Sequence, residues 1–104
     1  MFQDLGEDHV SWLLAAASTF LDQRKTDRAI VLLELLGLVD PYNVQGQKLL
    51  AYALLIQDEK GRCRTALDRL AQCQLNQRDR AAVDALTARL EERSPARQPH
   101  PPGP

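Results

Sequence analysis

The chain has 104 residues, of which 44% are hydrophobic and 26% charged, and its formal net charge is −1. That length suits one core rather than two, and the near-neutral balance argues against a polybasic nucleic-acid binder. Leu and Ala dominate the apolar set, while β-branched and aromatic residues are scarce, a balance that favours helix over strand.

Residues 1–7 read as a loose lead-in. Asp8 is placed to cap a first helix from about His9 to Asp22, in which Val10, Leu13, Leu14, Ala16, Ala17, Phe20 and Leu21 recur at the helical period beside Trp12. The polar turn Gln23-Arg24-Lys25 breaks it. Thr26 or Asp27 then caps a second helix to about Leu38. Its apolar residues Ala29, Ile30, Val31, Leu32, Leu33, Leu35 and Leu36 leave little polar face, which predicts burial on several sides.

Asp40-Pro41 reads as a helix start, with Asp at the cap and Pro at the first helical position. The third helix then runs to about Asp58, with Val44, Leu49, Leu50, Ala53, Leu54 and Ile56 inward and a costly Gly46 near its start. After the turn at Asp58–Gly61, a fourth helix from about Arg62 to Cys73 presents Cys63, Ala66, Leu67, Leu70 and Ala71. Asn76 caps a fifth, to about Arg93, whose narrow stripe of Ala82, Leu86 and Leu90 suits a helix closing the end of a stack. Residues 94–104 hold five of the six prolines and read as a disordered or polyproline-like tail. One helical domain over residues 1–93 and a Pro-rich tail over 94–104 are therefore expected.

Charge is unevenly distributed. Residues 1–59 carry four basic side chains against nine acidic, and residues 60–104 carry nine basic against five acidic. Such polarity can orient a partner, and it also arises from ordinary solvated helix faces. Cys63 and Cys73 sit in apolar segments ten residues apart, a rotation of roughly 280° along a helix, so no bridge within one helix is expected and both read as reduced core thiols. No charged segment precedes an apolar run at the N-terminus, so no secretory signal is expected. The longest near-apolar stretch, Ala29 to Val39, contains Glu34 and is too short to span a bilayer, so no membrane insertion and a cytoplasmic location are expected.

Short helices joined by brief turns invite a search for repeats. The tetratricopeptide pattern is W-x2-L-G-x2-Y, then A-x3-F, then P. Here Leu13-x2-Ala16-Ala17-x2-Phe20, then Ala29-x3-Leu33, then Pro41 keeps every spacing. Small residues at Ala17 and Ala29 allow two antiparallel helices to approach. A second copy matches through Gln47-x2-Leu50-Ala51-x2-Leu54 and Ala66-x3-Leu70, but its gap from Ala51 to Ala66 is three residues longer, which predicts an insertion near Gln57–Gly61. The expected fold is all-α, with tandem antiparallel tetratricopeptide-like helix pairs and a terminal capping helix.

No catalytic constellation is present. His9 and Ser11 face different ways on a helix, neither Cys lies in a C-x-x-C motif, and there is no glycine-rich phosphate loop. Acidic residues interrupt the basic set Arg62, Arg64, Arg69, Arg78 and Arg80, so nucleic-acid binding is not expected. No enzymatic activity, cofactor or metal is expected. Stacked helix pairs instead offer a concave face for a polypeptide. The first helix of each pair lines that face, which makes Leu14, Ser18, Leu21, Lys48, Tyr52 and Leu55 the candidate partner-binding residues. So short a stack is also expected to gain stability from its partner.

The stretch Asp27 to Leu70 resembles the small tetratricopeptide-fold chaperones of bacterial type III secretion systems. The resemblance rests on Asp27-Arg28-Ala29, the run Leu32-Leu33 through Leu36, Asp40-Pro41, and the Gly61-Arg62 turn. It is closest to the Y-type chaperones, with the G-type needle chaperones next. A recognisable third repeat and a second Pro closing the second pair are lacking. The resemblance implies a bacterial cytoplasmic chaperone that covers an apolar helix of a secreted type III protein, an X-type protein or a needle subunit, and keeps it soluble. It further implies docking on the cytoplasmic domain of the export gate. A general tetratricopeptide adaptor is the alternative.

Overall fold

The computed structural model describes residues 5–92, with side chains from His9 onward. Among these residues there are five helices and no strand: α1 (Leu5–Asp22), α2 (Thr26–Val39), α3 (Val44–Ile56), α4 (Lys60–Ala71) and α5 (Gln77–Glu92). The expected tail, residues 94–104, lies outside the described residues.

Successive helices pack side by side, and α1 also touches α3 while α3 touches α5. Helices joined by three residues and packed along their length must reverse direction, so α1–α2 and α3–α4 are antiparallel hairpins. The all-helical, tetratricopeptide-like class expected from the sequence is the observed one.

The two hairpins are one design repeated at an interval of 34 residues. α1 ends at Asp22 and α3 at Ile56; α2 starts at Thr26 and α4 at Lys60. Arg24 (φ 63°) and Asp58 (φ 61°) are both left-handed. The turn hydrogen bonds correspond as well: Lys25 N–H donates to Phe20 O and Glu59 N–H to Leu54 O. The insertion expected near Gln57–Gly61 is therefore absent. The partner of Ala29 in the second hairpin is Cys63, not Ala66, and both are fully buried. A thiol is small enough to fill the place of a methyl at a close helix crossing. The interval is that of the tetratricopeptide pair.

The core runs through all five helices. Ala17 comes from α1; Ala29, Ile30 and Leu33 from α2; Leu50, Ala51, Ala53, Leu54 and Leu55 from α3; Cys63, Ala66, Leu67 and Leu70 from α4; and Leu90 from α5. Leu36 is also buried.

Helix starts differ from expectation in four places, α4 beginning at Lys60 so that Lys60 and Gly61 are helical rather than turn. α1 already runs through Asp8, which is thus no cap. At α2 the cap position is Lys25, which makes no side-chain cap bond; Thr26 is the first helical residue and is buried. At α3, Asp40-Pro41 builds a turn rather than a helix start. Asn43 N–H donates to Asp40 O at 3.1 Å, with Pro41 at the turn position that favours its fixed φ. Asn43 is the cap, its Oδ1 accepting from Gly46 N–H at 2.8 Å while its Nδ2 donates to Asp40 Oδ2 at 3.1 Å. At α5 the expected cap holds: Asn76 Oδ1 accepts from Asp79 N–H at 2.7 Å.

Candidate functional site

α2 is less covered than its composition implies. It turns Ala29, Ile30, Leu33 and Leu36 to the core but leaves Val31, Leu35, Leu38 and Val39 exposed, with Leu38 82% accessible. Positions 31, 35, 38 and 39 follow helical spacing, so they form one stripe along one face. Tyr42, also exposed, follows the end of the helix. The apolar surplus was visible in the sequence; what was not visible is that α1 and α3 together cover only one side of α2.

Two adjoining cavities lie between α2 and the second hairpin. One, of about 300 Å³, is lined by residues that include Leu38, Leu50, Leu54, Ala66 and Arg69. The other, of about 280 Å³, has Asp27, Ile30, Val31, Gln57 and Glu59 in its lining. Glu34 and Arg62 line both cavities and form an ion pair with each other. Together the cavities make a groove of mixed apolar and polar lining, crossed in its middle by that ion pair. Gln47 sits beneath it, 2% exposed. Its Nε2 donates to Pro41 O at 3.0 Å, which fixes the amide because a carbonyl only accepts, and Oε1 is left buried without a partner.

The six residues expected to line a concave face fare differently. Tyr52 is exposed. Ser18 is half-buried, and Leu14 and Leu21 are half-buried against the core. Leu55 is 4% exposed and is a core residue, because the packing of α3 turns it inward. Lys48 is held in an ion pair with Asp79 of α5 at 2.6 Å, so its ammonium ties two helices together. The structure does not bring the six together as one accessible surface. Trp12 and Ile56, which that set omitted, are exposed.

Cys63 is free and buried, its Sγ 3.3 Å from Ala51 O. Burial pushes its thiol pKa up, opposed by the smaller influence of Arg64. Cys73 is free and half-buried. Among the described residues no three His, Cys, Asp or Glu side chains are grouped to hold a metal ion, and no helix is long and apolar enough to cross a membrane. No protein-family model, curated protein or solved structure matches the chain.

Proposed function

We propose that the chain binds another polypeptide through an apolar helical surface, as a chaperone for a protein exported by a bacterial type III secretion system. The observation that carries the binding function is the exposed stripe of Val31, Leu35, Leu38 and Val39. A run of large apolar side chains along one helix face marks a place where another molecule packs. The surface is apolar rather than polar, which suits capture of an amphipathic segment better than chemistry on a small substrate.

The identity of the captured chain rests on the resemblance of Asp27–Leu70 to the Y-type chaperones. On that reading the partner is an X-type exported protein, with a needle subunit as the alternative, and the pair docks on the export gate in the bacterial cytoplasm. Covering the partner's apolar helix keeps it from aggregating before export.

Co-expression with the small proteins encoded beside its gene tests the proposal. A stoichiometric complex that melts at a higher temperature than the chain alone is expected. Recovery of the chain alone in every combination would overturn the chaperone reading.

A further inference from the structure

We propose that the groove between α2 and α4 seats an amphipathic helix of the partner, about three turns long, with a basic side chain near one end and an acidic side chain near the other. This rests on the reading of the chain as a polypeptide binder and names where and what it binds. The groove lies on the second helices of the two hairpins, away from the first-helix face that the repeat pattern singles out.

α2 and α4 run in the same direction along the groove. Asp27 and Glu59, early in each hairpin's second half, line one cavity, Glu34 and Arg62 pair across the middle, and Leu38 and Arg69 line the other. From Glu59 to Arg69 is ten residues, or about 15 Å at the helical rise. Asp27 to Leu38 spans a similar length. A guest helix of about ten residues therefore matches the groove end to end.

Charge fixes its orientation. Glu34 and Arg62 offset each other. That leaves Asp27 and Glu59 as the acidic end, while at the other end Arg69 is joined by no acidic lining residue other than Glu34. Between them the lining is mixed: Val31 and Leu38 on the α2 side and Leu50, Leu54 and Ala66 beneath are apolar, while Gln47, Gln57 and Thr65 are polar. Leu35 and Val39 extend the apolar surface beyond the rim. The guest is a helix rather than an extended strand because the walls are helices whose backbone groups are already bonded. An extended guest would bury its own N–H and C=O groups without partners, whereas a helix satisfies them internally.

The test uses two synthetic helical peptides with the same leucine face. One carries Lys at one end and Glu ten residues on; the other carries Gln at both positions, which removes the favourable polarity. Binding to the full chain is read by fluorescence anisotropy at low salt. The polarised peptide is expected to bind at least tenfold tighter, with Leu38→Asp abolishing binding and Asp27→Asn, Glu59→Gln and Arg69→Gln together cancelling the preference. Leu38 is exposed, so its substitution leaves the fold intact, and circular dichroism checks the charge variants. Equal affinity for both peptides, no binding of either, or binding unaffected by Leu38→Asp would overturn the groove assignment. A co-expressed partner that still co-purifies with the Leu38→Asp chain would place the contact elsewhere while leaving the polypeptide-binding reading standing.

Discussion

Cys63 Sγ lies 3.3 Å from the carbonyl oxygen of Ala51, where α4 packs against α3. In the first hairpin the same place is held by Ala29 beside Ala17, and all four residues are fully buried. A small side chain is what the crossing requires, so Cys63→Ala is expected to cost no more than about 1 kcal/mol, whereas Cys63→Leu overpacks the crossing and costs roughly 1–3 kcal/mol. Urea unfolding of both variants checks this.

The same burial governs the thiol's chemistry. Its pKa is raised in the folded chain, so ionisation is easier in the unfolded state. The sign follows: the contribution is fully present below the ordinary thiol pKa and is lost as pH rises through and beyond it, from about pH 8.5 upward. Stability should fall in that range, and Cys63→Ala should lessen the fall. In the native protein a thiol reagent should modify Cys73 first and Cys63 only as slowly as the hairpin opens. Equal rates for the two would contradict the burial.

Gly46 has a structural reason that composition alone does not reveal. A Cβ there would lie 2.6 Å from Leu36 Cδ2 and 3.5 Å from its Cγ. Leu36 is itself buried and has little room to retreat. Gly46→Ala gains up to about 1 kcal/mol of helix propensity, but overpacking costs roughly 1–3 kcal/mol. A net loss of about 1 kcal/mol is expected, and a stabilised variant in thermal melts would refute the clash.

Lys48 and Asp79 join the last helix to the stack. Both side chains are largely buried, so removing one leaves the other charge with poor compensation. Lys48→Met and Asp79→Ala should each destabilise, and a double-mutant cycle should return a coupling of about 1 kcal/mol. A coupling near zero would show that α5 is held by Val83, Leu86 and Leu90 alone.

Gln47 stands where the repeat pattern has a large apolar residue, and its Oε1 is buried without a partner. Gln47→Met removes that unmet acceptor and frees the Pro41 carbonyl, on an exposed residue, to bond water. Stability should be unchanged or higher by up to about 1 kcal/mol, and a loss above about 2 kcal/mol in urea unfolding would show that the Pro41 bond matters more.

Helix number and class were legible because the apolar period and the polar breaks after α1 and α3 were strong, although Lys60 and Gly61, expected in the second turn, belong to α4. The register of the second hairpin was not, because Cys63 occupies an alanine place and Ala66 offered a competing match three residues on. The start of α3 was misplaced because Asp-Pro serves a turn as well as a cap, and only the bond from Gly46 N–H to Asn43 Oδ1 distinguishes them. Of the candidate partner residues, Tyr52 was placed on the surface as expected. Leu55 was not, since a leucine on a helix with several packing neighbours gives no sign of which one covers it. The α2 stripe was read as buried for the converse reason: nothing in the sequence says that only one side of that helix finds a neighbour.

The most direct measurement is the mass, by light scattering after gel filtration, of the material recovered when the chain is co-expressed with the small proteins encoded beside its gene, for the wild type and for Val31→Asp with Leu38→Asp. A stoichiometric complex is expected for the wild type and a folded, partner-free chain for the double variant. A wild-type chain that elutes alone from every combination, or a complex that the two substitutions leave intact, would contradict polypeptide binding by the α2 stripe.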